Sequence, residues 1–268
     1  MRVACLQLGP PSGEPTAERV RAVSERVRGL RGADLIVLPE LWPTGYFDFD
    51  RYEQEAEAFP GSTVDAMRAA ARDAGAHVAG GSVLERAADG RLHNTAFLVD
   101  PDGELVLSYR KIHTFGYQSL EARLLASGEQ IDCVETALGG VGLTTCYDLR
   151  FPEMFRVLVD RGAEIVVMPA AWPRPRIEHW QLLARARALE NQVFLVACNG
   201  AGEDHGTSLG GTSLIADPWG EIVARAGDGE ETLEAEIDPG RVQAIRREFP
   251  VLADRRLAVG GEVASLAR

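Results

Sequence analysis

The sequence is poor in the residues that staple or metallate proteins. It holds four cysteines, Cys5, Cys133, Cys146 and Cys198, and five scattered histidines in 268 residues. No two cysteines form a C-x-x-C pair, so zinc-site spacing is absent. A disulfide scaffold is not expected in so long a chain with so few thiols. At least one thiol is therefore free to be a nucleophile, although buried inert cysteine is the common default. Basic residues are also in deficit: 28 Lys and Arg stand against 40 Asp and Glu, a formal net charge of −12. Nucleic-acid binders need a basic face to neutralise phosphate, and no basic, aromatic-interleaved cluster occurs here. Long charge-free apolar runs are missing too, and the start, Arg-Val-Ala-Cys-Leu-Gln-Leu after Met1, reads as a strand. With no membrane-spanning stretch or signal-like h-region, a cytoplasmic protein is expected. What is present is ordinary globular composition, 46% hydrophobic and 25% charged, enough for a sizeable core.

Two segments return. Arg31-Gly-Ala-Asp-Leu-Ile-Val-Leu-Pro-Glu-Leu-Trp-Pro43 reappears as Arg161-Gly-Ala-Glu-Ile-Val-Val-Met-Pro-Ala-Ala-Trp-Pro173. Asn94-Thr-Ala-Phe-Leu-Val-Asp-Pro-Asp-Gly-Glu-Leu-Val106 reappears as Gly211-Thr-Ser-Leu-Ile-Ala-Asp-Pro-Trp-Gly-Glu-Ile-Val223. The first pair reads as a helix end, a turn, a buried strand and a Pro-terminated loop. The second reads as a β-hairpin whose turn is Asp-Pro-x-Gly-Glu. Two copies make a duplication, not a solenoid. No Ser/Gly-rich linker divides them, so residues 1–268 read as one α/β domain with internal pseudo-symmetry. Helical spacing runs over 15–30, 62–74, 152–161 and 177–191, with Ser62 or Thr63 as an N-cap and Leu182, Leu183, Ala186 and Leu189 along one side of the last helix. Strands are expected at 2–8, 34–38, 77–84, 95–99, 141–145, 164–168, 193–198 and 212–216. This alternation predicts two facing sheets with helices outside.

The duplication is informative where it fails. Glu40 follows Pro39, but Ala170 follows Pro169. A structural carboxylate would suit both halves, whereas a functional one need occur once. Glutamate is usually a surface residue, yet Glu40 sits just past the apolar strand Leu35–Leu38, where sites in α/β proteins assemble. Cys146 has a similar address. It lies between the strand-like Val141-Gly-Leu-Thr-Thr145 and a helix with Pro152 near its first position, a turn whose backbone N–H groups favour an anion. Lys111, directly after the first hairpin, reads alone as a surface lysine. Together, a carboxylate base, a thiol nucleophile and an ammonium beside an oxyanion make chemical sense.

Leu38-Pro-Glu-Leu-Trp-Pro-Thr-Gly45, Tyr109-Arg-Lys-Ile-His113 and Thr145-Cys-Tyr-Asp-Leu-Arg-Phe-Pro-Glu153 resemble, in order and spacing, the three catalytic motifs of the nitrilase (carbon–nitrogen hydrolase) superfamily. The resemblance continues through Pro169-Ala-Ala-Trp-Pro173, Ala186-Arg-Ala-Leu-Glu-Asn-Gln192 and Gly211-Thr-Ser213. It implies a four-layer αββα sandwich with internal pseudo-two-fold symmetry. It implies that Glu40 is the general base, Lys111 the transition-state stabiliser and Cys146 the nucleophile of a thioester mechanism, with the Tyr147 N–H sharing the oxyanion. Glu121 matches a second glutamate that many members carry to orient substrate or support the lysine. No metal or organic cofactor is implied.

Cys-Tyr-Asp-Leu-Arg-Phe resembles the aliphatic-amidase and ω-amidase-like branch. Nitrilases proper usually carry Cys-Trp-Glu at this point, so cleavage of a small carboxamide to acid and ammonia is favoured over nitrile hydrolysis. Arg150 either binds a substrate carboxylate, as in an ω-amidase, or holds its loop by a salt bridge. Tyr46 and Trp172 are either pocket walls or core packing. Nitrile hydrolysis and a carbamoyl-amino-acid hydrolase stay as alternatives, the latter without a distinct pair of basic residues to support it. A serine-hydrolase reading of Gly206-Thr-Ser-Leu-Gly210 fails on order, since the last histidine, His205, precedes the serine. An inactive binding protein on the same fold is the non-enzyme reading. The resemblance also implies a homodimer, and the stretch 242–268 is expected either to cross to the partner or to be a solvated tail.

Overall fold

A computed structural model describes residues 1–257. Fourteen strands and seven α-helices occur in it, mixed along the chain until a run of six strands precedes the last helix. One sheet contains β1 (Arg2–Gln7), β2 (Leu35–Val37), β3 (His77–Arg86), β4 (Leu92–Val99), β5 (Leu105–Arg110) and β14 (Glu231–Glu236), in the order β14-β1-β2-β3-β4-β5. The other contains β6 (Cys133–Thr136), β7 (Gly139–Leu143), β8 (Ile165–Ala170), β9 (Phe194–Asn199), β12 (Leu214–Ala216) and β13 (Ile222–Arg225), in the order β13-β12-β9-β8-β7-β6. In each sheet three central strands run parallel and the flanking strands antiparallel. The two-residue strands β10 (Glu203–Asp204) and β11 (Thr207–Ser208) form a separate hairpin.

Side chains alternate across each strand, and the layers follow from that. Val3, Cys5, Leu35 and Val37 share a core with Val141, Val166 and Val196 of the other sheet. Their neighbours Ala4, Leu6, Ile36 and Leu38 face outward into a second core with Val23 and Val27 of α1 (Thr16–Gly29) and Val64 and Met67 of α3 (Ser62–Ala74). On the far side, α5 (Pro152–Asp160) and α6 (Ile177–Asn191) cover the second sheet. The result is the expected αββα sandwich of duplicated halves. Short helices α2 (Tyr52–Glu55) and α4 (Glu121–Leu124) sit in the connections, and α7 (Gly240–Glu248) follows the last strand.

Several local expectations are corrected. The N-cap of α3 is Gly61, not Ser62 or Thr63; the Glu57 carboxylate instead accepts hydrogen bonds from Ser62 Oγ at 2.8 Å and Thr63 N at 3.1 Å. The buried stripe of α6 is Trp180, Ala184, Arg187, Ala188 and Asn191, while Leu182 and Leu189 are exposed. Burying Arg187 is tolerated because its guanidinium donates to Leu149 O and Glu190. Apart from these corrections, the stretch after residue 242 begins in α7, where Val242 and Ile245 are buried and Arg246 donates to Ala163 O at 2.8 Å. Positions 258–268, the rest of that stretch, lie outside the described residues. Among the described residues no helix is long and apolar enough to cross a membrane.

Candidate active site

The ends of the central parallel strands converge. Glu40 leaves β2, and Ala171 and Trp172 leave β8. The two ends meet: Ala171 N donates to Glu40 Oε2 at 3.0 Å, and Glu40 N approaches Ala170 O at 3.4 Å. Glu40 and Ala170 are counterparts in the duplication. Only positions near a two-fold axis can touch their own mates, so the site lies on the pseudo-axis.

Four buried polar side chains from the first half interlock there. Lys111 Nζ donates to Glu40 Oε1 at 2.7 Å and to both Glu121 oxygens, at 2.8 and 3.0 Å. Asn94 Nδ2 reaches the same two carboxylates, at 2.7 Å for Glu40 and 3.1 Å for Glu121. Tyr46 OH and the Phe115 N–H complete Glu121 at 2.8 and 2.7 Å. One ammonium thus faces two carboxylates with no side-chain exposure among them. The electrostatics follow. The two carboxylates hold Lys111 protonated, its pKa raised despite burial. Burial raises Glu40 above the usual glutamate range; Lys111 opposes the shift and the Glu121 charge adds to it. Glu40 is therefore the group in this cluster poised to take a proton.

Burial and the neighbouring Glu40 charge push the Cys146 pKa up, so the residue rests as a thiol. Its backbone has φ +46°, a left-handed conformation that a non-glycine residue adopts only when its surroundings hold it there. The holding group is Asp148. Its carboxylate accepts from Thr145 N at 2.8 Å, Tyr109 OH at 2.7 Å and His113 Nδ1 at 2.7 Å, and His113 stacks on Phe151 with centroids 3.6 Å apart. The turn Cys146–Arg150 is thereby pinned to the strand that delivers Lys111.

Beside Cys146 lies a small pocket whose walls include Tyr46, Phe115, Tyr147, Arg150, Trp172 and Arg176. Tyr46 and Trp172 are thus pocket walls and buried packing at once. Arg150 makes no ion pair with a carboxylate among the described residues. Its guanidinium lies 4.6 Å from the Trp172 ring centroid and 3.4 Å from His179 Nδ1. The Arg150 salt bridge considered from sequence is therefore absent among the described residues. Arg176 lines the same pocket 5.5 Å from the Phe115 ring, supplying the second basic residue that the sequence did not single out. Ser208, by contrast, is an exposed residue of the β10–β11 hairpin, with no strand-to-helix elbow.

Sequence reasoning missed Asn94, Asp148 and Arg176. For Asn94 the signal existed: its counterpart in the duplication is Gly211, the same kind of break that drew attention to Glu40.

Known proteins share this arrangement of chain. The carbon–nitrogen hydrolase family model matches residues 2–247. A 2-oxoglutaramate amidase of Paenarthrobacter nicotinovorans is 41% identical over 95% of this chain and 89% of its own. A carbon–nitrogen hydrolase superfamily protein of Xanthomonas campestris, whose crystal structure carries an arsenic adduct in the active site, superposes with a TM-score of 0.89 at 29% identity, covering 97% of this chain and 99% of its own. A mutant amidase of Nesterenkonia sp. AN1, with the acetamide moiety of fluoroacetamide added covalently at its active-site cysteine, superposes at 0.81 with 25% identity, covering 94% and 97%. A family match over nine-tenths of the sequence, on a sandwich whose two halves meet at a buried thiol, makes this chain a member of the carbon–nitrogen hydrolase family of the nitrilase superfamily.

Proposed function

We propose that the protein hydrolyses the terminal amide of a short dicarboxylate monoamide through a Cys146 thioester. The observation that carries the chemistry is the buried Glu40 carboxylate, hydrogen-bonded to the Lys111 ammonium and close enough to the Cys146 thiol for its charge to act on it. Glu40 takes the thiol proton as Sγ attacks the amide carbon. The Lys111 ammonium and the Tyr147 N–H receive the oxyanion, a type of donor whose loss typically lowers rate on the order of a hundredfold or more. Glu40 returns the proton to the leaving nitrogen, the C–N bond breaks and ammonia departs. Water then gives a proton to Glu40 and attacks the thioester, releasing the acid and restoring the thiol. Glu121 does not touch the reacting atoms in this scheme; it holds Lys111 in place.

The substrate class rests on Arg150. The Arg150 guanidinium lies over the Trp172 indole and meets only His179 Nδ1, at a long 3.4 Å from each terminal nitrogen, which leaves it able to exchange that contact for a carboxylate. A substrate with an amide at Cys146 and a carboxylate at Arg150 is a dicarboxylate monoamide, the class to which the named substrate of the Paenarthrobacter relative belongs. Simple aliphatic amides are the second reading, favoured by the aromatic walls of the pocket.

The test is ammonia release from glutaramate, succinamate, butyramide and an aliphatic nitrile. Wild type should prefer the two monoamides, and Cys146→Ala should lose activity by about 10⁴-fold or more. No release by wild type from any of the four compounds would sink the hydrolase mechanism.

Three further readings accompany this one. The core shared by both sheets supports reading the chain, 1–268, as one domain as far as its described residues, 1–257, reach. The exposed Leu182 and Leu189 on α6 support homodimer formation through that face. A free nucleophilic thiol suits a reducing cytoplasm.

A further inference from the structure

We infer that Arg176 is a specificity-determining residue: with Arg150 it forms a two-guanidinium mouth that selects an anionic substrate tail and rejects one bearing an α-ammonium. This rests on the monoamide reading above and names which monoamides are accepted.

The walls of the pocket beside Cys146 contain two arginines and no aspartate or glutamate. Neither arginine makes an ion pair with a carboxylate among the described residues. Each lies against an aromatic ring instead, Arg150 against Trp172 and Arg176 against Phe115. They are near enough to affect each other: besides burial, the Arg176 charge lowers the affinity of Arg150 for its proton. Two cations brought together without an anion are mutually destabilising until one arrives, and a carboxylate is the planar acceptor that suits a guanidinium fork.

Arg176 is not loosely tethered. Its carbonyl accepts the Trp172 Nε1–H at 2.8 Å, which ties the start of α6 to the ring under Arg150. Pro173 and Pro175 restrict the backbone between the two residues. The pair is thus presented to the pocket by a braced loop.

The chemical consequence is discrimination at one atom. Glutamine and 2-oxoglutaramate have the same length and the same terminal amide and differ at the carbon beside the carboxylate. An uncharged oxo group or methylene there is compatible with two guanidinium neighbours. An ammonium is repelled by both, and no wall carboxylate is present to receive it.

The experiment measures kcat/KM for glutaramate, L-glutamine and butyramide with wild type, Arg176→Ala, Arg176→Glu and Arg176→Lys. Each variant is read as ratios between substrates, so a general loss of folded protein cancels. In wild type the order should be glutaramate, then butyramide, then glutamine. Arg176→Ala should lower the glutaramate-to-butyramide ratio by about tenfold or more, the scale of one charge-assisted contact. It should also narrow the glutaramate-to-glutamine ratio, Arg176→Glu should narrow it further, and Arg176→Lys should restore part of both. Ratios within about twofold of wild type in Arg176→Ala and Arg176→Glu, on an enzyme that does hydrolyse glutaramate, would overturn the role of Arg176 and leave the monoamide reading standing. A wild type that turns over butyramide but not glutaramate would overturn the monoamide reading itself.

Discussion

The two halves of the sandwich are built alike and equipped differently. Pairing of β1 with β2 and of β7 with β8 makes Val3 the counterpart of Val141, and Leu8 that of Cys146. The β4–β5 and β12–β13 ladders make Asn94 the counterpart of Gly211, and Lys111 that of Asp228. The first half therefore supplies the charged cluster: Glu40, Asn94, Lys111 and Glu121. The second supplies the thiol, the Ala171 N–H that holds Glu40, and most of the pocket wall. A duplicated frame brings its strand ends together at an axis. Differences between the copies place unlike groups face to face there, which a single copy could not do.

The sharpest way to break that division is to change charge in the first half's cluster. One ammonium balances two buried carboxylates, so its removal and the removal of one carboxylate should act oppositely on stability. Lys111→Ala leaves two unexposed carboxylates uncompensated and should destabilise the fold by about 3–5 kcal/mol. Glu40→Gln leaves one ammonium with one carboxylate and should keep or raise the thermal midpoint, while slowing turnover by about 10²–10⁴-fold through loss of the base. Thermal denaturation of the two variants beside wild type measures this. Equal midpoints for wild type and Lys111→Ala would mean that the cluster is not balanced in this way.

How much of this was legible in the sequence follows from the range of the interactions. The helix at 62–74 announces itself because burial imposes a period on neighbouring residues, and the strands at 2–8 and 77–84 because both of their faces are buried and few charges interrupt them. Glu40 was legible because the duplication supplied an internal control, and Asn94 was equally legible by that control. Asp148 was legible only in part: Thr145-x-x-Asp148 has the spacing of a capping box, but its partners Tyr109 and His113 lie 39 and 35 positions away. Strands β6 and β14 were missed because edge strands are half exposed, and β14 finds its partner β1 more than 220 positions away. The wrong face was chosen for α6 because its buried stripe contains Arg187 and Asn191, whose polar atoms find partners within reach, while Leu182 and Leu189 are left outside.

A smaller effect tests the first half's cluster by pH. In the proposed mechanism Glu40 must be unprotonated to accept the thiol proton. Burial and the Glu121 charge hold its pKa above the ordinary 4.5 against the opposing pull of Lys111. The acid limb of kcat/KM should therefore lie above that value, with activity lost as pH falls through it. Glu121→Gln removes a neighbouring negative charge, favours ionised Glu40 and should move the limb to lower pH. A limb that stays in place or moves upward would show that Glu121 does not act on Glu40 through its charge.

The smallest expected effect concerns the helices that follow β2 and β8, which occupy corresponding places and begin differently. Helix α3 has a carboxylate at its N-terminus: Glu57 accepts from Ser62 Oγ and Thr63 N and meets the positive end of the helix dipole. Helix α6 has no side-chain cap, and its N-cap residue is Arg176, whose side chain lines the pocket. The first half thus stabilises its helix start with a carboxylate four residues before the N-cap Gly61, while the second half has Arg176 at the N-cap itself, where the proposed reading has it face the substrate. Glu57→Ala should lower stability by about 1 kcal/mol, the usual worth of a lost cap, without changing kcat/KM for glutaramate. Adding an acidic cap to α6 through Arg176→Asp should instead alter substrate preference well before stability. If Glu57→Ala changed kinetics and left the melting midpoint alone, the two helix starts would have to be assigned the other way round.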